Sequence, residues 1–212
     1  MNPATKIPET YFPTGVFPLV SSLLAPYDFD IRIVKRRSTK FADFNPPVKN
    51  REIPFITINN NLNQYTFLIT LLHEVAHYLV WRDGKVYAKP HGRSWKNHFT
   101  HLIQNMIDHK IFPENLLLHL EKHIQNPRAT SCSDTRLFKE LSVFDDEKAG
   151  VFIDEILDGQ LFQISDGQIF KKEKKMRKRI MCENIKNRKK YLFSPIFKVF
   201  PVKGEQYVIS FP

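Results

Sequence analysis

The stretch QYTFLITLLHEVAHYLVW, residues 64–81, decides how this chain is read. Leu68, Leu71, Leu72, Val75 and Leu79 recur at helical spacing on one face, and Ala76 and Val80 widen it. The spacing predicts a helix over 64–81. The remaining stripe is Thr70, His73, Glu74 and His77. A helix apolar almost all round is a buried one. Ionisable side chains on it must meet a partner or line a cavity, because unpaired burial is costly.

His73-Glu74-Val75-Ala76-His77 is an HExxH pattern. Residues four apart on a helix lie one above the other, so both imidazoles can reach one ion, and zinc suits neutral imidazole nitrogen. Glu74 is rotated by about 100° from His73, where it can act on a water without ligating the ion. Zinc brings the pKa of a bound water toward about 7, Glu74 can take its proton, and proton return to a leaving amine completes peptide hydrolysis. A catalytic site also needs a third protein ligand. Asp83 and His91 are the candidates, and His91, directly before Gly92 and a following helix, is the favoured one.

Outward from this helix the elements are short. Val16 to Leu24 reads as a helix; Phe29, Ile31 and Ile33 mark a strand; Phe41 to Phe44 and Ile53 to Ile58 mark two more. Downstream, helices are predicted over Arg93 to Asp108, from Pro113 to His123, and around Leu137 to Leu141. Alternating stretches follow at Leu161 to Ile164, Gln168 to Phe170, Tyr191 to Phe193, Ile196 to Val202 and Tyr207 to Phe211. The fold class is therefore α+β. Residues 1–125 are expected to form one domain, 126–135 (overlapping QNPRATSCSD, residues 125–134) a linker, and 136–212 a smaller, mainly β domain.

Hydrophobic content of 42% over 212 residues is that of a globular chain. No apolar run reaches the roughly 20 residues of a membrane helix. Cys132 and Cys182 are too few for a cysteine-ligated zinc ribbon and fit a reduced, cytoplasmic chain. The formal charge is +10, and residues 171–190 (KKEKKMRKRIMCENIKNRKK) hold eleven Lys or Arg against two Glu. The basic character is thus local. Those residues fit either a helix or strands, and either a solvated face or a surface that contacts phosphates.

The run HEVAHYLVWRDGKVYAKPHGRSWKNHF, residues 73–99, resembles the core of the SprT-like family, which includes the Spartan proteases. That family pairs HExxH with a His-Gly and an aromatic at the position of Trp95; the Ile56-Thr57-Ile58-Asn59 strand end and the element order over 15–125 are also similar. The resemblance implies a zincin-type core: an N-terminal helix, a short sheet, the HExxH helix and following helices. It implies one Zn2+ held by His73, His77 and His91, with Glu74 as general base. Many relatives carry a four-cysteine ribbon downstream, so the back half is expected to resemble a zinc ribbon lacking its cysteines, with apolar packing in place of the metal.

The expected function is zinc-dependent peptide hydrolysis. The alternative is a nucleic-acid-binding protein with a structural or vestigial zinc site. Spartan-type proteases act on proteins attached to DNA, so the resemblance favours protein substrates and DNA contact through Lys171, Lys172, Lys174, Lys175, Arg177, Lys178, Arg179, Arg188, Lys189 and Lys190. Phe170, Tyr191 and Phe193 flank them for base stacking. Tyr78 and Arg93 are candidates for oxyanion stabilisation and His98 for substrate polarisation. His109, His119 and His123 read as helix-surface residues, and Trp81 and Trp95 as core.

Overall fold

A computed structural model describes residues 2–49, 53–85, 89–128, 134–145 and 150–202. The chain divides into two units, Met1–Asp146 and Glu147–Pro212. Among the described residues there are five α-helices and two sheets, a mixed α+β arrangement. None of the helices is long and apolar enough to cross a membrane.

The first unit begins with two 3-10 turns that the sequence pattern did not indicate, Pro3–Lys6 and Glu9–Tyr11. They bring Ala4, Ile7 and Phe12 into the core. Helix α1 (Phe17–Leu24) is followed by β1 (Asp30–Val34), β2 (Ala42–Asn45) and β3 (Phe55–Asn59). The sheet order is β1-β3-β2, with β3 parallel to β1 and antiparallel to β2. The central strand, FITIN, is the most buried of the three, because both its faces are covered. Among the described residues, strand β2 is left with one open edge.

Helix α2 (Gln64–Arg82) starts at Asn63, whose Oδ1 accepts from the Thr66 amide at 2.9 Å. Phe67, Leu68, Leu71, Leu72, Val75 and Ala76 are wholly buried on it. Helix α3 (Arg93–Asp108) packs against α2 through Trp95, Phe99, Leu102, Ile103 and Met106, the residues at core spacing. Helix α4 (Glu114–Gln125) adds Leu116, Leu120 and Ile124.

The expected linker and boundary lie differently. Helix α5 (Thr135–Ser142) belongs to the first unit, with Leu137 and Leu141 in its core. Asp134 caps α5, its Oδ1 accepting from the Leu137 amide at 3.3 Å. The far end of α5 is tied to the start of α2, where Asn63 Nδ2 donates to the Leu141 carbonyl at 2.9 Å and to Asp145 at 2.7 Å. The division between units therefore follows α5 instead of preceding it.

In the second unit, β4 (Val151–Phe152), β5 (Leu161–Gln163), β6 (Ile169–Lys175), β7 (Ile180–Asn184), β8 (Lys190–Phe193) and β9 (Lys198–Pro201) form one antiparallel sheet. Its order is β4-β9-β5-β6-β7-β8. Residues 171–190 are thus strands and hairpin turns, not a helix. Ile153, Ile156, Phe162, Phe170, Ile180, Cys182, Phe193 and Val199 make its core. Burial pushes the Cys182 thiol up to about 11, which keeps it protonated and inert at neutral pH. Cys132 and the Tyr207 to Phe211 stretch lie outside the described residues.

Candidate metal centre

His73 and His77 stand one turn apart on α2, and a tight turn before α3 brings His91 to them. His91 Nε2 lies 3.1 Å from His73 Nε2 and 3.0 Å from His77 Nε2. Among the described residues these three form the cluster that could hold a metal ion. Zn–N bonds of 2.0–2.1 Å set tetrahedral N···N edges of about 3.3 Å, close to these separations. The donor set fits as well, since neutral imidazole is what zinc binds. Burial, reinforced by the neighbouring imidazoles, pushes His73 down to about 2 and His77 to about 4, and burial lowers His91 too. All three rings are therefore neutral lone-pair donors at ordinary pH.

The turn that delivers His91 is unusual. His91 has φ 55°, in the left-handed region, and the Gly92 amide donates to the Lys89 carbonyl at 2.8 Å. A Cβ at Gly92 would sit 2.8 Å from that same carbonyl oxygen. The turn thus needs glycine at 92 for close approach. Asp83, the other candidate ligand, is engaged elsewhere: its Oδ2 lies 3.0 Å from His98 Nε2 and 3.7 Å from Lys85 Nζ. His98 is held at Asp83 by this contact and does not line the cleft that contains the three histidines.

Trp95 forms a wall of the cluster. It is 1% exposed, and its ring centroid lies 4.6 Å from that of His73, 5.6 Å from His77 and 4.7 Å from His91. Reading Trp95 as core was right about burial and missed this position against all three imidazoles. Its spacing after His91 was the available signal.

Glu74 points toward the sheet, 7% exposed, with a backbone hydrogen bond from Phe44. Burial raises its carboxyl to about 7, with Asp43 adding to the rise and the Phe44 bond, Arg37 and Lys40 opposing it. Asp43 is the hub of a network under β2. Its carboxylate accepts from Arg37, Thr57 and Asn45, which together hold it well below the carboxylate range against the upward push of burial. Arg37 Nε also donates to Asn59 Oδ1 at 2.9 Å, and Asn59 Nδ2 to the Lys40 carbonyl at 3.0 Å. This network fixes the segment leading into β2.

That segment and β2 line a cleft of about 690 Å³ that contains His73, Glu74, His77 and His91. The Phe41 carbonyl accepts from the Asn59 amide on β3. In an antiparallel ladder alternate residues face the partner. Ala42 and Phe44 therefore turn their backbone groups to the open edge, beside the imidazoles. Tyr78 is not part of the site: it is buried, and its hydroxyl accepts from the Asp28 amide at 3.2 Å. Arg93 does not line this cleft; it is exposed on an adjoining groove with Lys89, Lys96 and His101, which shares His91 with the cleft. His109 is an exposed residue of the α3 terminus, as expected, and His119 lies 3.7 Å from Glu140. His123 is a correction, because it is 4% exposed and lines the cleft.

The basic segment separates into three kinds of residue. Lys172 is 6% exposed, its Nζ donating to the Ile156 carbonyl and lying 3.3 Å from Asp158, so it is not available to a phosphate. Strand alternation explains this, since Lys172 shares the inward face with Phe170. Lys190 pairs with Glu173 at 3.1 Å and Arg188 with Glu183 at 2.8 Å. Lys174, Lys175, Arg177, Lys178 and Arg179 are all exposed and crowd the β6–β7 hairpin end. Lys171 and Lys189 are exposed as well.

Residues 30–116 match the model of the SprT-like family. No curated protein and no solved structure gives a significant match to the chain.

Proposed function

We propose that the SprT-like segment works as a zinc-dependent metallopeptidase of zincin-type architecture, with His73, His77 and His91 as ligands and Glu74 as general base. The observation that carries this reading is the convergence of three imidazole Nε2 atoms beside a buried carboxyl, within a cleft bordered by an open strand edge. Zinc bound there would supply Lewis-acid polarisation of a water and of the scissile carbonyl. Glu74 takes a proton from the attacking water and returns it to the amine that leaves. With the Phe44 amide held by Glu74, the outward Ala42 amide and the Ala42 and Phe44 carbonyls of β2 pair with an extended peptide, which orients it across the imidazoles. Trp95 holds the His73 ring and the turn at His91 in place, and the cleft walls restrict water.

For substrates, the reading is proteins associated with DNA. Support comes from the five exposed cations at the β6–β7 hairpin end, whose charge is not neutralised by the Glu173 and Glu183 pairs. Such clusters displace counterions from nucleic acid. The test measures zinc content and casein hydrolysis with and without single-stranded DNA, for the wild type and Glu74→Gln. Equal zinc with hydrolysis lost in Glu74→Gln is the expected result. Hydrolysis that survives this substitution would falsify the role of Glu74, and hydrolysis indifferent to DNA would remove the DNA-linked part.

A further inference from the structure

His123 and Asp134 lie beyond the matched residues 30–116, yet His123 lines the same cleft and Asp134 is bonded to it. His123 sits on the inner face of α4 with Leu116, Leu120 and Ile124, and its Nδ1 lies 3.0 Å from Asp134 Oδ2. Partial burial pushes the Asp134 carboxyl up, but the bonds from His123 and the Leu137 amide outweigh it and hold the carboxyl below its ordinary value. An ionised carboxylate only accepts, so Nδ1 carries the proton. His123 is buried, and an imidazole with its one proton on Nδ1 presents Nε2 as a hydrogen-bond acceptor. No bond to it occurs among the described residues, and it is not among their sealed, unsatisfied atoms.

Position decides what this acceptor meets. The Phe99 ring lies 5.8 Å from His73 and 6.1 Å from His123, so His123 stands one aromatic ring beyond the metal ligands. Ile69, Thr70 and Phe99 line the cleft along that way. That is the reach of a substrate side chain next to the scissile bond, and too far for the scissile carbonyl itself.

Resting on the peptidase reading above, we propose that His123, positioned by Asp134, ends a specificity subsite that takes a hydrogen-bond-donating side chain, Ser, Thr or Lys, flanking the cleaved bond. A hydroxyl or ammonium donates to Nε2. A carboxylate would set its lone pairs against that of Nε2 and leave both buried acceptors unpaired, which is where polar sites discriminate most strongly.

The experiment digests a peptide pool randomised on both sides of the scissile bond with zinc-loaded protein and maps the cuts by mass spectrometry. For the wild type, Ser, Thr and Lys should exceed Asp and Glu about tenfold or more at one flanking position. His123→Leu should replace that preference with an apolar one. Asp134→Asn keeps the α5 cap, because Asn caps as well as Asp. Its amide can donate to Nδ1, which moves the ring proton to Nε2, so Asp and Glu should become accepted. Asp134→Asn also decides the matter if His123→Leu does not fold. A wild type that cuts, with a profile moved by neither substitution, overturns the subsite alone. A zinc-loaded wild type that cuts no peptide overturns the peptidase reading and the subsite with it.

Discussion

Trp95 Nε1 donates to the main-chain carbonyl of His73 at 3.3 Å while its ring packs 4.6 Å from the His73 imidazole. One side chain thus grips a proposed metal ligand by both its backbone and its ring. Trp95→Phe keeps most of the packing and loses the hydrogen bond. It should weaken zinc binding by about 10-fold, within the range for residues that orient ligands. Trp95→Ala should also destabilise the fold by about 3–5 kcal/mol. Competition against a chromophoric chelator and thermal melts separate the two effects. Unchanged zinc affinity in Trp95→Phe would show that the grip does not matter.

The proposed third ligand, His91, comes from a turn whose geometry is demanding. His91→Ala should reduce zinc affinity by about 100-fold or more, beyond what loss of an orienting residue does. Asp83→Ala should leave zinc content intact, because Asp83 is bonded to His98 and Lys85. Gly92→Ala should fall between them, since its methyl group meets the Lys89 carbonyl. Metal analysis of the three purified variants ranks them, and zinc loss in Asp83→Ala at the level of His91→Ala contradicts the assignment.

Acid should destabilise the metal-free protein. His73, His77 and His91 are held below the ordinary 6.5 by burial, so below that pH the unfolded chain binds protons that the fold refuses. Glu74 opposes this: its value of about 7 exceeds the ordinary 4.5, so its contribution is present below 4.5 and lost as pH rises through 7. Three histidines outnumber one carboxyl, and the chelated protein should melt lower at pH 5 than at pH 7. Glu74→Gln should steepen that difference and a His73→Gln, His77→Gln double variant should flatten it. A chelated wild type that melts higher at pH 5 is the contrary result.

Nucleic-acid binding should follow the hairpin end and not the whole strip. Replacing Arg177, Lys178 and Arg179 with Glu should weaken single-stranded DNA binding and lower the salt slope by about 0.7 per lost phosphate contact. Lys190→Ala and Lys172→Met should change it far less, because these lysines are committed to Glu173 and to Ile156 and Asp158. Fluorescence anisotropy across salt concentrations measures this, and equal losses in all variants speak against the hairpin.

Much of the architecture was legible where pattern and burial coincide. Helix α2 and helix α3 follow their apolar spacing almost residue for residue, because nothing in the tertiary structure competes with it. The two 3-10 turns at the N-terminus and the two-residue β4 leave no period to detect. Asp134 looked like part of a polar linker, since a cap and a loop residue have the same composition. His123 had a readable signal: with Leu116, Leu120 and Ile124 it completes an i, i+4, i+7, i+8 stripe, the pattern of an inward face. Lys172 was readable from strand alternation with Phe170, but charge composition does not reveal which way a residue faces. The β2 edge beside Glu74 was not legible, because a strand's neighbours are decided by the whole sheet.

The backbone of His91 narrows what could ever replace it. Left-handed φ is tolerated chiefly by glycine, and among other residues by Asn, Asp and His, while β-branched side chains are nearly barred. Two of those tolerated types, His and Asp, are themselves zinc ligands. Conformation and coordination therefore screen substitutions through the same filter at this position. A chain drifting under selection for folding alone would still be held near metal-binding chemistry, and His91→Asp is the substitution that keeps the backbone while exchanging a neutral donor for a shorter, charged one.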